Sequence, residues 1–267
     1  MPSIPPIGLG TWGLTGPEGV AVIRAAIESG YRHLDTAQTY DTEAGIAEAI
    51  AQSGVARDDV FITTKVADTK LARRDLVPSV RESVRQLRVD QVDLTLIHWP
   101  SHREVVPFQE YMQGLMEAKA LGLTRLIGVS NFPSTFVDRA VAILGATEIA
   151  TDQVELHPFL QSARLQATCA GHGIPITAYI PLARGAVGRD PVIQRIAKAH
   201  DISSAMVTLA WHRQRGRVAI PSSRRREHLS DNLRSLHVTL DERELAAIDA
   251  LDRDERIINP DKSPGWD

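Results

Sequence analysis

The sequence predicts an α/β protein built as one closed (β/α)8 barrel, the TIM barrel, over residues 1–267, and three observations predict it. Short apolar, β-branched runs alternate along the chain with segments of helical period, the pattern of a parallel sheet with helical crossovers. Eight such runs occur, and the 267 residues match the roughly 250 typical of a barrel closed by eight strands. No low-complexity tract, charge block or Ser/Gly linker interrupts them, so one domain is expected.

The first run, GLGTW (8–12), is followed by GLTG rather than by a G-x-G-x-x-G turn opening a helix, which argues against an open doubly wound sheet. RHLDT (32–36) is the second strand and carries Asp35; VFITTK (60–65) is the third and ends in Lys65. Val77, Val80, Val84 and Leu87 then recur at 3-4-3 spacing, the core-facing stripe of a helix. DLTLIHW (93–99) holds His98, RLIGVS (125–130) leads into Ser130 and Asn131, and DQVEL (152–156) opens with Asp152 and Gln153 and carries Glu155. PITAYI (175–180) contains Tyr179 and RVAIPS (217–222) reaches Ser222 and Ser223. Between these last strands Val192, Ile193, Ile196 and Ala197 form another helical stripe. Asp241 with Glu244 three positions on reads as an Asp variant of the capping box, starting one more helix, and the SPGWD tail reads as irregular.

Composition narrows the partners. With 30 Lys+Arg against 33 Asp+Glu the formal net charge is -3, which predicts neither nucleic acid nor an anionic membrane as partner and favours a small ligand. No apolar run approaches the ~18 residues a membrane helix needs, and MPSIPPIGLG lacks the basic-then-apolar pattern of a leader, so a cytoplasmic protein is expected. The single cysteine, Cys169, excludes internal disulfides and reads as a small buried hydrophobe.

In such a barrel chemistry gathers at the C-terminal strand ends, and every strand from the second to the eighth carries a polar residue there, so all of these are expected to line one cavity. Taken singly each has a plainer role: a strand-end Asp caps helices, a strand-end Lys snorkels, and His98 reads equally as a satisfied core histidine. Together they suggest more. Lys65 at the rim of a buried barrel needs a carboxylate partner, which Asp35 can supply. Tyr40 lies five residues beyond Asp35, within reach of the same rim. A free phenol near pKa 10 donates its proton poorly at neutral pH, and a neighbouring ammonium would lower that pKa toward the working range. A neutral His98 would donate a hydrogen bond to a carbonyl oxygen that gains charge. Trp12 and Trp99 read either as apolar walls of the substrate site or as core packing.

These residues and their flanks, GLGTW (8–12), DTAQTYDTE (35–43), ITTKV (62–66), DLTLIHWP (93–100), IGVSNF (127–132), AYIPLARG (178–185) and IPSS (220–223), closely resemble the aldo-keto reductases over essentially the whole chain. IATDQVELHPFLQ and LIHWPS look most like the bacterial 2,5-diketo-D-gluconic acid reductases of the B type, which also reduce small aldehydes such as methylglyoxal. The resemblance implies NADPH-dependent reduction of small carbonyls by a monomer, with Asp35, Tyr40, Lys65 and His98 as the catalytic four and Tyr40 as general acid. It implies that Ser130, Asn131 and Gln153 hold the carboxamide and that the nicotinamide stacks on Tyr179. It further implies that Gly10, Thr11, Asp35, Pro181, Leu182 and Ile220 line the cofactor site and that Trp12, Tyr40, His98 and Trp99 contact substrate. No metal is implied, and Glu155 with His157 offers only two ligands.

The adenosine end departs from the family pattern, because Ser222 stands where a Lys is common and His228 where an Arg is. Arg224, Arg225 and Arg226 in the same loop could chelate a 2′-phosphate or form a solvated basic turn. Ser223 is expected on that phosphate and Asn232 on the adenine. The segment after His98 and the tail after Leu251 are short, which predicts an open pocket and weak discrimination among carbonyls; Trp266 in the tail could reach that pocket or stay disordered. Two other functions fit the same residues: a lyase forming a Schiff base on Lys65, and a barrel that binds NADP(H) without turnover.

Overall fold

A computed structural model describes residues 4–267; the start of the N-terminal stretch read for a leader, residues 1–3, lies outside them. Among the described residues the elements run β1 (Leu9–Gly10), α1 (Gly16–Glu28), β2 (His33–Asp35), α2 (Glu43–Ser53), β3 (Phe61–Val66), α3 (Arg73–Leu87), β4 (Val92–Ile97), α4 (Phe108–Ala120), β5 (Thr124–Ser130) and α5 (Ser134–Leu144). They continue as β6 (Ile149–Glu155), α6 (Ala163–His172), β7 (Ile176–Tyr179), α7 (Pro191–Ala199), α8 (Ser204–Gln214), β8 (Val218–Ile220), α9 (Arg226–Arg234) and α10 (Glu242–Asp249).

The strands pair in sequence order, each parallel to the next. Closure comes from Gly8 N donating to Ala219 O (2.9 Å) and Gly10 N to Pro221 O (3.1 Å), so the first strand lies against the eighth. The predicted eightfold barrel is therefore the observed one. Its strands differ at their ends. The first shrinks from five residues to two because the chain turns off at Gly13 (φ +78°), with Leu14 N donating back to Thr11 O. The sixth begins at Ile149, three residues before the predicted start, because it pairs with β5 from Ile127 onward.

The β5–β6 register shifts between Ile127 and Val129. A Cβ at the intervening Gly128 would sit 2.7 Å from Thr151 O, so only glycine lets the two backbones approach there.

Period-two alternation sorts each strand into an inner and an outer face. Phe61, Leu94, Leu96 and Leu126 cluster inside, below a more polar layer where His33 meets Thr63 (3.0 Å) and Thr151 meets Thr177 (2.8 Å). The same parity brings Asp35, Lys65, His98, Ser130, Gln153 and Tyr179 to the C-terminal end of the barrel. Outside, the helices bury the predicted stripes: Val77, Val80 and Leu87 of α3 and Ile193, Ile196 and Ala197 of α7 are buried, with Val84 and Val192 packed at the edge. Full burial of such a side chain contributes about 1.5–3 kcal/mol. Asp241 caps α10 through Arg243 N and Glu244 N, with Glu244 returning to the Asp241 N–H, the predicted capping box.

Candidate active site

The innermost feature of the barrel mouth is an ion pair. Lys65, 1% exposed, donates to Asp35 Oδ1 and to Thr36 O (2.8 Å), and Gln153 Nε2 donates to the other Asp35 oxygen (2.7 Å). Burial alone would lower the lysine pKa; the Asp35 carboxylate overrides it and the net direction is upward, so the group is an ammonium at neutral pH.

Above this pair the loop after β2 doubles back. Asp41 takes φ +56°, which a short polar side chain tolerates, and Thr36 Oγ1 and Thr42 Oγ1 close the loop at 2.6 Å. Thr11 Oγ1 ties the same threonine (3.0 Å) and Asp35 O (2.9 Å) to the first strand. The turn sets the Tyr40 ring over Lys65, with Nζ 5.0 Å from its centroid. The Tyr40 hydroxyl lies 3.4 Å from His98 Nε2, and the two rings meet edge-on.

Burial and the Lys65 charge hold the His98 pKa well below its ordinary value, so the imidazole is neutral, as expected. The Tyr40 expectation needs correcting. Burial pushes the phenol up, and although Lys65 pulls it down, the net direction is upward from 10.0. Desolvating a phenolate costs more here than one cation returns when that cation already faces Asp35.

A cavity of about 1020 Å³ opens over these groups, at the upper end of the size of a single-ligand pocket. Asp35, Tyr40, His98, Trp12 and Trp99 form one end, Trp12 being 72% exposed and Trp99 buried. Ser130, Asn131, Gln153 and Tyr179 form the floor; Asn131, at φ +62°, donates to His98 O (2.9 Å) and accepts from the Tyr179 hydroxyl (2.7 Å), locking that ring in place. Gly10, Thr11, Pro181, Leu182 and Ile220 line the groove that continues toward Ser222, Ser223, Arg224, His228 and Asn232.

The structure separates the three arginines. Arg224 lines the groove and donates to Gly13 O (2.8 Å), whereas Arg225 pairs with Glu227 (2.8 Å) and Arg226 leans toward Glu28 (3.8 Å). Arg184 also lines the groove and went unread, since an arginine in a loop carries no directional signal in sequence. Ile258 lines it too, from the tail.

Three strand-end residues expected to line the cavity do not. Lys65 lies beneath it. Asp152, mid-strand once β6 starts at Ile149, has the outward parity and is buried among the helices. Glu155 has the inward parity but is covered by residues 257 and 258. Trp266 does not reach the cavity; it packs edge-on behind Trp99 (6.2 Å), and the tail is tied down where Asp267 accepts from Ser134 N (2.9 Å). Cys169 is buried as expected. No helix among the described residues is long and apolar enough to cross a membrane, and no group of three or more His, Cys, Asp or Glu among them is placed to hold a metal.

Residues 6–253 match the family model described as the aldo/keto reductase family. The chain is 47% identical to methylglyoxal reductase DkgB of Escherichia coli O157:H7, over 99% of this chain and 100% of that protein. Among solved structures it superposes on a putative 2,5-diketo-D-gluconic acid reductase B with a TM-score of 0.94 at 38% identity, covering 99% of this chain and 94% of the other. It also superposes on an aldo-keto reductase from Bombyx mori in complex with NADP, with a TM-score of 0.88 at 33% identity, covering 96% and 92%.

Proposed function

The chain belongs to the aldo/keto reductase family and is an oxidoreductase acting on carbonyl groups, and from that premise we propose that it reduces small aldehydes and ketones, methylglyoxal and 2,5-diketo-D-gluconate among them, with NADPH. The observation that carries this is the buried Asp35–Lys65 pair beneath Tyr40 and beside a neutral His98, at one end of a cavity of about 1020 Å³ whose lining continues to Arg224 and Asn232.

The residues present fit such a cofactor. Gly10 lines the groove, and a Cβ there would meet Ile220 O at 3.0 Å, so glycine lets β1 and β8 approach closely beneath it. Ser130, Asn131 and Gln153 would hold the carboxamide and Tyr179 the nicotinamide face. Ser223, Arg224 and His228 would take the 2′-phosphate, Arg224 facing the groove with no carboxylate partner among the described residues, and Asn232 would contact the adenine. Bound NADPH supplies the hydride that reduces the carbonyl carbon.

The chain's own groups manage the oxygen. His98 donates a hydrogen bond to it and stabilises its growing negative charge. Tyr40 delivers the proton. An alkoxide is a far stronger base than a phenolate, so a phenol held above its usual pKa still yields its proton once the oxygen is anionic. The Lys65 ammonium limits that upward shift, and Asp35 keeps Lys65 oriented. A monomer acting in the cytoplasm is part of this reading, and the monomeric state rests on the family resemblance alone. The exposure of Trp12 and the openness of the mouth beside it support weak discrimination among carbonyls.

A Schiff-base role for Lys65 is disfavoured, because the amine must be neutral to attack and here its pKa is pushed up by Asp35. The test is steady-state oxidation of NADPH and NADH with methylglyoxal, diketogluconate and aromatic aldehydes, on the wild type and Tyr40→Phe. Turnover with NADPH, lost in Tyr40→Phe while NADPH binding persists, is the expected result. Full activity in that variant would remove Tyr40 from the acid role, borohydride trapping of substrate on Lys65 would favour the lyase, and NADPH binding without turnover would make this a binding barrel.

A further inference from the structure

Glu155 and His157, which in sequence resemble half of a metal site, are fully buried, with side chains at 0% exposure. His157 Nδ1 accepts from Phe159 N (3.3 Å), which leaves the ring proton on Nε2, donated to Glu155 Oε1 (3.1 Å). The same oxygen accepts from Ile257 N (2.7 Å), and Oε2 accepts from Ile258 N (2.7 Å). The carboxylate thus faces three N–H donors, two of them backbone groups from a segment about a hundred residues later in the chain, and no Lys or Arg lies within ion-pair distance of it among the described residues.

That segment has no regular structure and is gripped along its length by the β6–α6 connection. Arg253 N and Glu255 N both donate to Phe159 O (3.3 and 2.9 Å), Arg253 stacks on the Phe159 ring (4.0 Å), and Gln161 N donates to Asp252 Oδ1 (3.1 Å). Beyond the grip, Ile258 lines the cavity. Arg256 stacks on Trp266 (3.8 Å), and Trp266 backs Trp99, which lines the same end.

We infer that Glu155 is a positioning residue: its carboxylate latches the C-terminal strap to the barrel rim and thereby holds Ile258 and, through Arg256 and Trp266, Trp99 in the substrate wall. A carboxylate suits this because it is acceptor-only on both oxygens and can hold two successive backbone N–H groups at once. An amide of the same shape would turn its NH₂ toward one of them. The wall's role in carbonyl binding rests on the reductase function proposed above; the latch itself does not.

The experiment compares wild type with Glu155→Gln, each saturated with NADPH. Losing one charge-assisted hydrogen bond is expected to raise KM for methylglyoxal about tenfold. NADPH affinity, read by fluorescence titration, is expected to stay within about twofold, and trypsin is expected to cut the native variant first after Arg256 or Lys262. Ile258→Ala, which leaves the latch intact, should raise KM without speeding cleavage, and the double variant should be no worse than Glu155→Gln alone. An unchanged KM beside faster cleavage overturns the claim that the latch shapes the wall. A parallel loss of NADPH affinity reduces Glu155 to general support of the barrel and overturns it as well. If Glu155→Gln fails to fold, His157→Asn, which removes one donor and keeps the carboxylate, must show the same pattern in milder form or the inference falls. If the wild type turns over no carbonyl, the proposed function fails while trypsin still reads the latch: undiminished protection of the tail in Glu155→Gln refutes it.

Discussion

Replacing Asp152 by asparagine should flatten the dependence of stability on pH. Asp152 is 0% exposed on the outer face of β6, and neither carboxylate oxygen has a well-formed hydrogen bond among the described residues. Burial holds its pKa well above the ordinary 3.8; the Phe132 backbone N–H, close by but short of a well-formed hydrogen bond, offsets this only in part, and the Asp267 carboxylate adds to it. A folded-state pKa above the unfolded one means that the native state keeps a proton which the unfolded chain releases. The associated stability is fully present below about pH 3.8 and drains away as pH rises toward the folded value. Within that window the loss runs at up to about 1.4 kcal/mol per pH unit, so two units cost roughly 2.7 kcal/mol of the 5–15 kcal/mol typical of a native protein.

Asp152→Asn keeps the shape and cannot ionise. Its unpaired amide adds a fixed cost that does not vary with pH. Urea unfolding followed by tryptophan fluorescence from pH 4 to 8 gives both stability profiles, and their difference cancels every other titrating group the two proteins share. The difference should move in favour of the variant as pH rises, by more than 1 kcal/mol overall. Parallel profiles, within about 0.5 kcal/mol across the range, would refute the buried, unpartnered state of Asp152.

Two further experiments test the site. Lys65→Met should destabilise the fold by about 3–5 kcal/mol, because Asp35 is left buried with only Gln153 as donor, and should nearly abolish reduction; adding Asp35→Asn should restore much of the thermal midpoint but none of the rate, and recovery of rate would exclude Lys65 from proton transfer. Arg224→Ala should raise KM for NADPH about tenfold and leave that for NADH within about twofold, while Arg225→Ala alters neither; equal losses with the two cofactors would remove Arg224 from the 2′-phosphate.

Much of this molecule could be read from residue order alone. Strand count, strand direction and the helical stripes follow from local periodicities of two and 3.6, which need no knowledge of neighbours. Lys65 and His98 stand out because a polar residue ending a buried run must be compensated, Asp35 is the partner one strand over, and Tyr40 follows from lying five residues beyond Asp35. Tyr179, Ser222 and Ser223 were legible in the same way, since a closed barrel sends every strand end to one rim, whereas Pro181, Leu182, His228 and Asn232 followed only from the family resemblance.

What needed the folded chain was everything set by distance between remote segments. Asp152 and Gln153 are adjacent in sequence, yet one enters the cavity and the other the helix layer, because parity depends on a strand start that pairing with β5 decides. The rise in the Tyr40 pKa depends on how deeply the loop closed by Thr36 and Thr42 sinks its phenol beside a lysine already engaged by Asp35. Arg224, Arg225 and Arg226 are chemically alike, and only the positions of Gly13, Glu227 and Glu28 assign them different work. Glu155 has a partner about a hundred residues downstream, and no local pattern announces a contact made through backbone N–H groups, which every residue but proline carries. Periodicity is a property of the chain; burial, parity and pairing across the barrel arise only once it closes.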